Sequence, residues 1–309
     1  MELKWLDDYI ALIETGNFSE AAMRRHVSQP AFSRRIQMLE NWLGVTLIDR
    51  GRKPLQFTRV AKDNQPEFGK LVARIYEFRA MLKSESLDSA SITIAAQHTL
   101  AASYVPGFLN RLREHAPDQN YRIQSGNQND SVALFTRGDA EILITYDAPQ
   151  APVNLPSQLA SRHILGHDEL LLVASPQLHK ILNAVTEGAS VPMLCYPVDS
   201  FFGQAVRAQA LPDLMRLHQV VVRCVSEFAV GLRELALIGQ GAAWLPASLI
   251  HDDLSQGRLL TLPLLGQSVS MDVVVFFALL TGERGAGLRY TFDKLIQPQN
   301  SNKAQSPQA

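Results

Sequence analysis

The sequence has no large excess of charge of either sign, few cysteines and no long hydrophobic run. Its 29 basic and 30 acidic residues leave a formal net charge of -1, so any nucleic-acid interface must be a local basic surface. Two cysteines are too few for a disulfide framework and fit a reducing compartment. The most apolar stretch, residues 271–280, is shorter than the roughly 20 residues of a membrane span and is predicted to be a buried strand.

Motifs of catalysis and export are also missing. The chain has no glycine-rich phosphate loop and no HExxH, GxSxG or CxxC motif, so we expect neither an enzyme nor a bound cofactor. The first eight residues carry acidic side chains where a signal peptide would carry basic ones, which predicts a cytoplasmic protein. A length of 309 residues, 46% of them hydrophobic, favours a globular chain with more than one domain.

The first sixty residues have the spacing of a helix-turn-helix. Apolar residues recur at helical intervals before Gly16, a typical C-cap, and a second short helix is predicted from the N-cap Ser19 to near His26. A third helix is predicted from Ser28 to Gly44. In this arrangement the third helix enters the DNA major groove.

The predicted third helix and its surroundings are locally basic. No acidic residue occurs in the segment 21–39, which contains Arg24, Arg25, Arg34 and Arg35. These arginines would attract phosphate, and Arg34 and Arg35 are our DNA-binding candidates among them. The alternative is an ordinary solvated helix face.

Base contacts are expected from the first turns of the third helix. Gln29, Ser33 and Arg34 lie on its outward face, where amide, hydroxyl and guanidinium groups can pair with adenine or guanine edges. Ser28 is expected to cap the helix, and Pro30 is tolerated in the first turn because the amides there lack intrahelical partners.

A cationic wing is expected to follow. Residues 45–48 and 54–58 are predicted to be two short strands. The connection between them carries three basic side chains that should contact the DNA backbone or minor groove: Arg50, Arg52 and Lys53.

The next stretch has a coiled-coil pattern that predicts a dimer. Apolar residues alternate by three and four positions at Phe68, Leu71, Ile75, Phe78 and Leu82. A partner chain would bury this seam, whereas packing on its own body is the alternative. Pro66 should start or kink the seam.

Residues from about 91 onward alternate between strands and helices, which predicts two α/β lobes. Strands are expected at residues 92–96, 121–125, 140–146, 169–174, 192–196 and 219–225, and helices at 103–115, 132–136, 203–210 and 227–238.

Ligands of open α/β sheets bind at the carboxyl ends of strands, often against helix N-termini. The polar residues at these ends therefore predict a site for a small polar or anionic effector: His98, Thr99, Asn127, Gln128, Asp199, Ser200 and Ser226. A hydrogen-bonded loop histidine is the alternative for His98, and helix capping is the alternative for Asp199.

The cysteine and histidine residues are the candidates for redox and metal chemistry. Cys195 and Cys224 each close a predicted strand near the expected ligand, so they are candidate oxidant targets, with inert buried thiols as the alternative. His163 and His167 lie in a predicted crossover strand without a clear third ligand, so no metal is expected.

Several of these residues together resemble the DNA-binding signature of LysR-type transcription regulators: Asn17-Phe18-Ser19, Ala21-Ala22, residues 27–33, Ile36, Leu39-Glu40, Leu43-Gly44, Leu47 and Arg50. Residues 28–36 and 54–56 also resemble the hypochlorite-responsive branch of that family. A looser resemblance continues at Leu109, Pro117, Gly138-Asp139, residues 239–241 and Leu245-Pro246.

The resemblance implies an α/β fold with an N-terminal all-α winged helix-turn-helix and a periplasmic-binding-protein-like, two-lobed effector domain. We expect a DNA-binding domain at residues 1–59, a dimerisation helix at 60–86, an effector domain at 91–297 and a disordered tail at 298–309.

The predicted function is sequence-specific transcription regulation, switched by a small effector or an oxidant. The expected partners are double-stranded promoter DNA and further copies of the chain, in a dimer or, as the resemblance implies, a tetramer, with no membrane. The alternative is a solute-binding module without a transcriptional role. It would require a signal peptide and would leave residues 1–86 without a purpose.

Overall fold

The computed structural model describes residues 2–25, 27–49, 51, 55–84, 91–153, 155, 160–263, 265, 267–279, 292 and 294. The chain forms two compact units. Unit 1 is Met1–Ser89 with Thr136–Asp139 and Pro156–Leu159, and unit 2 is Ala90–Phe135 with Ala140–Leu155 and Ala160–Ala309. None of the helices in these described ranges combines the length and apolar character needed to cross a bilayer.

Unit 1 contains a helical bundle with a small two-stranded sheet. Its elements are α1 (Leu3–Thr15), α2 (Phe18–Arg24), α3 (Gln29–Leu43), β1 (Ile48–Asp49), β2 (Gln56–Phe57) and α4 (Arg59–Ser84). The first three helices enclose a core that includes Leu6, Leu12, Ala21, Phe32, Ile36 and Leu39.

The helix ends follow the local sequence closely, with one correction. Gly16 and Gly44 terminate α1 and α3 in the left-handed conformation, at φ 63° and 71°, as predicted. The prediction that Ser19 caps α2 is wrong. Asn17 is the N-cap, because its Oδ1 accepts the backbone N–H groups of Ser19 and Glu20 at 2.8 and 3.3 Å.

The two wing strands are shorter than predicted. They pair antiparallel with Ile48 opposite Phe57 and Asp49 opposite Gln56. The buried carboxylate of Glu40, on α3, accepts the backbone N–H groups of Leu47 and Ile48 at 2.8 and 3.0 Å. This pair of hydrogen bonds fastens the first strand of the wing to α3.

Helix α4 continues through Pro66, which lies inside the helix. The first residue of the predicted seam, Phe68, packs against Tyr9 with ring centroids 4.8 Å apart, so it belongs to the core of its own unit. The later seam residues Leu71, Phe78 and Leu82 remain 49%, 56% and 51% exposed. The exposed part of the predicted seam therefore begins at Leu71 and not at Phe68, and it forms an apolar stripe on α4.

Unit 2 contains the remaining elements in α/β order. They are β3 (Ser91–Gln97), α5 (His98–Ser103), α6 (Val105–His115), β4 (Asn120–Gly126), α7 (Gln128–Thr136), β5 (Ile142–Asp147), β6 (Ala160–Ala174), α8 (Pro176–Leu182), β7 (Ser190–Cys195), α9 (Phe201–Gln209), α10 (Leu211–Leu217), β8 (Gln219–Val225), α11 (Ala229–Leu237), β9 (Ala242–Pro246), α12 (Ala247–Ser255), β10 (Leu260–Thr261) and β11 (Val269–Ala278).

The strands of unit 2 form two parallel groups joined by two long strands. The sheet order is β4-β3-β5-β11-β6-β9-β7-β8, with β10 paired to β6. In lobe one, β3 runs parallel to β4 and β5, and in lobe two, β7 runs parallel to β8 and β9. Strands β6 and β11 run antiparallel along each other, from Ala160 opposite Ala278 to Leu170 opposite Val269. The predicted two-lobed α/β architecture is confirmed.

Candidate DNA-binding surface and effector cleft

The start of α3 presents the predicted base-reading residues to solvent. Gln29 and Arg34 are exposed and Ser33 is half-buried, whereas Phe32 and Ile36 of the same helix are fully buried. Ser28 occupies the N-cap position, but its side chain makes no capping hydrogen bond. A solvent-facing hydroxyl, amide and guanidinium on one helix suit base edges in a major groove.

Three of the four arginines near α3 are committed to carboxylates within the protein. Arg24 pairs with Glu14 at 2.7 Å, whereas Arg25 and Arg35 both pair with Asp8. Arg34, in contrast, has no ion pair among the described residues. Carboxylates of the protein itself therefore neutralise most of the predicted basic surface. The wing candidates Arg50, Arg52 and Lys53 lie outside the described residues.

In lobe one, His98 and Thr99 open helix α5 at the carboxyl end of β3. Thr99 is only 4% exposed. The His98 ring lies 5.0 Å from the ring of Phe228, which precedes α11 in lobe two. These residues therefore lie where the strand ends of the two lobes meet.

Two further lobe-one candidates bind the protein's own backbone. Asn127 Oδ1 accepts the Asp130 N–H at 2.9 Å at the start of α7. Gln128 Nε2 donates to the Tyr146 carbonyl at 3.0 Å. Both side chains shape the loop after β4.

The lobe-two candidates behave similarly. Ser200 Oγ accepts the Gly203 N–H at 3.1 Å and caps α9, and Ser226 Oγ accepts the Phe228 N–H at 3.2 Å. The carbonyl oxygen of Asp199 accepts a hydrogen bond from Gln204 at 3.1 Å, so this residue is engaged through its backbone.

The two cysteines lie on adjacent strands. Cys195 ends β7, while Cys224 stands opposite Leu194 on β8, and both are half-buried. Burial raises the pKa of the Cys195 thiol, and the nearby Cys224 raises it further. A raised pKa decreases the thiolate fraction at neutral pH and so lowers the nucleophilicity of Cys195.

A buried hydrogen-bond network beneath the strand ends was missed by sequence reasoning. Asp168 on β6 is 5% exposed and accepts the hydroxyls of Tyr146 at 2.8 Å and Ser248 at 2.6 Å. Ser248 also donates its N–H to Asp168 at 3.1 Å and lies 3.2 Å from the Ser103 hydroxyl. This Asp168 network joins β5 and α5 of lobe one to α12 of lobe two.

The electrostatics of the Asp168 network follow from its burial. Burial raises the pKa of Tyr146 well above its ordinary value, and the negative charge of Asp168 raises it further. Tyr146 therefore stays protonated and acts as a hydrogen-bond donor. The sequence signals this network only by an acidic residue shortly before the apolar run of residues 170–174.

The histidines of β6 lie in different surroundings. His167 Nδ1 lies 2.7 Å from an Asp272 carboxylate oxygen, and His163 packs against the Phe277 ring. Among the residues that the structure describes, no group of three or more His, Cys, Asp or Glu side chains could hold a metal ion. A cavity of about 790 Å³ lies beside His167 and the Asp168 network, lined by Asp147, Gln150, Glu169 and Met271 among others.

Two family models match this chain. "Bacterial regulatory helix-turn-helix protein, lysR family" matches residues 3–62, and "LysR substrate binding domain" matches residues 85–278. The first match covers the helices that carry the candidate DNA-binding surface. The alternative of a solute-binding module without a transcriptional role is therefore not favoured.

Curated proteins and solved structures agree with these matches. The HTH-type transcriptional regulator YjiE of Escherichia coli (strain K12) is 29% identical over 268 residues, which is 85% of this chain and 84% of that protein. The crystal structure of Vibrio fischeri DarR in complex with DNA has a TM-score of 0.55 and 27% identity, covering 96% of this chain and 99% of that one. Full-length HypT from Salmonella typhimurium, a hypochlorite-specific LysR-type regulator, has a TM-score of 0.54 and 25% identity, covering 96% and 98%.

The family models cover both compact units, and the fold has the predicted helix-turn-helix and two-lobed α/β domain. The chain therefore belongs to the LysR family of transcriptional regulators, with an N-terminal DNA-binding domain and a C-terminal effector-binding domain.

Proposed function

We propose that this regulator reads promoter DNA with Gln29, Ser33 and Arg34 and responds to a small polar or anionic effector near Thr99. It works by binding, without catalysis, as a homo-oligomer in the cytoplasm. The observation that carries the proposal is the exposure of Gln29 and Arg34 in the first turns of α3, a helix that the fully buried Phe32, Ile36 and Leu39 fix in the core. The DNA-bound state of the similar DarR supports it.

The DNA-reading part is tested with the full chain and a duplex that the wild type selects from a random-sequence library. Arg34→Ala should lower discrimination against a scrambled duplex by about 1–3 kcal/mol, the worth of one good base contact. Arg122→Ala is the matched control, because Arg122 is an exposed arginine of unit 2. Equal loss on both duplexes would instead make Arg34 a phosphate contact.

The effector part rests on Thr99, a buried residue in the first turn of α5, directly after the carboxyl end of β3. A hydroxyl near strand ends and a helix start suits a polar ligand. Thr99→Val keeps the shape and removes the hydroxyl. We expect unchanged DNA affinity and a lost shift in the DNA footprint when a panel of carboxylates, halides and hypochlorite is applied. A shift that survives in Thr99→Val places the effector elsewhere.

The Asp168 network supplies a route by which an effector changes the angle between the lobes. It holds Tyr146 of lobe one and Ser248 of lobe two with hydrogen bonds of 2.8 and 2.6 Å. A ligand that favours another lobe angle must bias these bonds. Identical DNA footprints with and without an identified inducer would contradict this mechanism.

A further inference from the structure

Asp8 is a fully buried acid at the meeting point of three helices. It lies on α1 and is 0% exposed. Its Oδ1 accepts a hydrogen bond from Nε of Arg25, the residue that ends α2, at 2.7 Å, and its Oδ2 accepts one from Nη1 of Arg35, on α3, at 3.3 Å. A second carboxylate, that of Asp7, lies 3.7 Å from Arg25.

This arrangement commits both arginines to the interior. A buried carboxylate without cationic or hydrogen-bond partners is strongly unfavourable, so Asp8 requires Arg25 and Arg35 where they are. Both arginine side chains are 28–29% exposed, in contrast to the exposed neighbouring Arg34. Successive helix positions point about 100° apart, so Arg34 faces outward while Arg35 turns back toward α1.

We infer that the Asp8–Arg25–Arg35 cluster positions the recognition helix, so that Arg35 determines DNA specificity without contacting DNA. Phe32, Ile36 and Leu39 bury the apolar face of α3, but apolar contacts are not directional. A carboxylate bonded through both oxygens to two helices is directional, and it limits rotation of α3 about its own axis. The inference rests on the proposed reading of DNA by α3.

Salt dependence separates a positioning role from a phosphate contact. The logarithm of affinity falls as the logarithm of salt concentration rises, and each phosphate that a cation neutralises makes this slope more negative by about 0.9. A residue that only orients α3 leaves this slope unchanged and lowers the preference for the selected duplex over a scrambled one. A residue that binds phosphate does the opposite.

The experiment measures both quantities by fluorescence anisotropy with the full-length chain and the duplex selected by the wild type. For Arg35→Gln we expect an unchanged salt slope and about a tenfold lower preference, within the range for losing one base contact. Asp8→Asn should have the same preference loss without altering any charge on the DNA-facing side. The double variant should be no worse than the poorer single variant, because both substitutions break the same contact between Asp8 and Arg35.

Arg258→Gln is the matched control for lost stability. Arg258 pairs at 2.7 Å with Asp253, another fully buried acid, but lies in unit 2. It should lower the unfolding temperature and leave DNA preference unchanged. If Arg35→Gln does not fold, Asp8→Asn decides the question.

Three results bear against specific steps. If Arg35→Gln makes the salt slope shallower by about 0.9 and keeps the preference for the selected duplex, Arg35 binds a phosphate and the inference is overturned. Wild-type preference in Asp8→Asn also overturns it. Absence of selective binding by the wild type itself would instead contradict the proposed DNA reading, so the two failures are distinguishable.

Discussion

The exposed stripe on α4 predicts how strongly this chain self-associates. Phe78 is 56% exposed, although phenylalanine is usually buried. Complete burial of such a side chain is worth about 1.5–3 kcal/mol, so the exposed half is worth roughly 1–1.5 kcal/mol per copy. In a two-fold symmetric dimer both copies contribute, which gives about 2–3 kcal/mol.

We therefore expect Phe78→Ser to raise the dimer dissociation constant by roughly 30- to 150-fold. The assay is sedimentation velocity of the full chain over a range of concentrations. Met23→Ser is the matched control, because Met23 is 65% exposed on α2 and lies outside the stripe. It should leave the dissociation constant unchanged.

An unchanged dissociation constant in Phe78→Ser would refute the reasoning, since the stripe would then not be part of the interface. An equal effect in Met23→Ser would refute it as well. That outcome would show that exposed apolar side chains in general, and not the α4 stripe, govern association.

Two further predictions concern packing and pH. A Cβ on Gly203 would lie 1.8 Å from the Pro197 carbonyl oxygen, so Gly203→Ala should destabilise unit 2 by about 1–3 kcal/mol or more in urea unfolding. A Cβ on Gly231 would lie 4.0 Å from its nearest neighbour, so Gly231→Ala should be neutral or stabilising by up to about 1 kcal/mol. Equal urea midpoints for the two variants would contradict this prediction. Burial, with a smaller contribution from the charge of Glu40, raises the pKa of Tyr9 to about 12. The stability of the protein should therefore fall as the pH rises from 10, the pKa of tyrosine in the unfolded chain, toward 12, and Tyr9→Phe should lack that part of the loss. Parallel curves of stability against pH for the wild type and Tyr9→Phe would contradict this prediction.

Features of the fold that depend only on neighbouring residues could be predicted from the sequence. Gly16 and Gly44 end helices because only a residue without a side chain readily adopts the left-handed conformation that those ends require. The polar start of α3 was also readable, since a helix with one buried face must expose the other. Neither inference needs a distant partner.

The hydrogen-bond and ion-pair partners of polar side chains could not be predicted from the sequence, because they depend on which helices and strands pack against each other. Asp8 finds its two arginines 17 and 27 residues away, once α1, α2 and α3 are packed together. Asp168 finds Ser248 80 residues away. Sequence patterns therefore do not show that Arg35 pairs with Asp8, and they do not indicate the contacts of Asp168.

The effector candidates stay predictions, because a related ambiguity applies to them. Asn127, Ser200 and Ser226 were chosen because polar residues at strand ends meet ligands, yet the same residue types also satisfy the free N–H groups of turns and helix starts. Sequence alone does not separate these roles. Thr99 differs from these three in being buried, at 4% exposure, in the first turn of α5.

The pairing of β11 with two distant strands has a consequence for synthesis of the protein. Val269–Ala278 completes the sheet beside β5 at residues 142–147 and beside β6 at residues 160–174. A ribosome must therefore translate more than a hundred further residues before the first lobe can close, whereas the helix-turn-helix is complete early. During translation the DNA reader folds first, and the sensing domain is the slow, aggregation-exposed step in producing a working regulator.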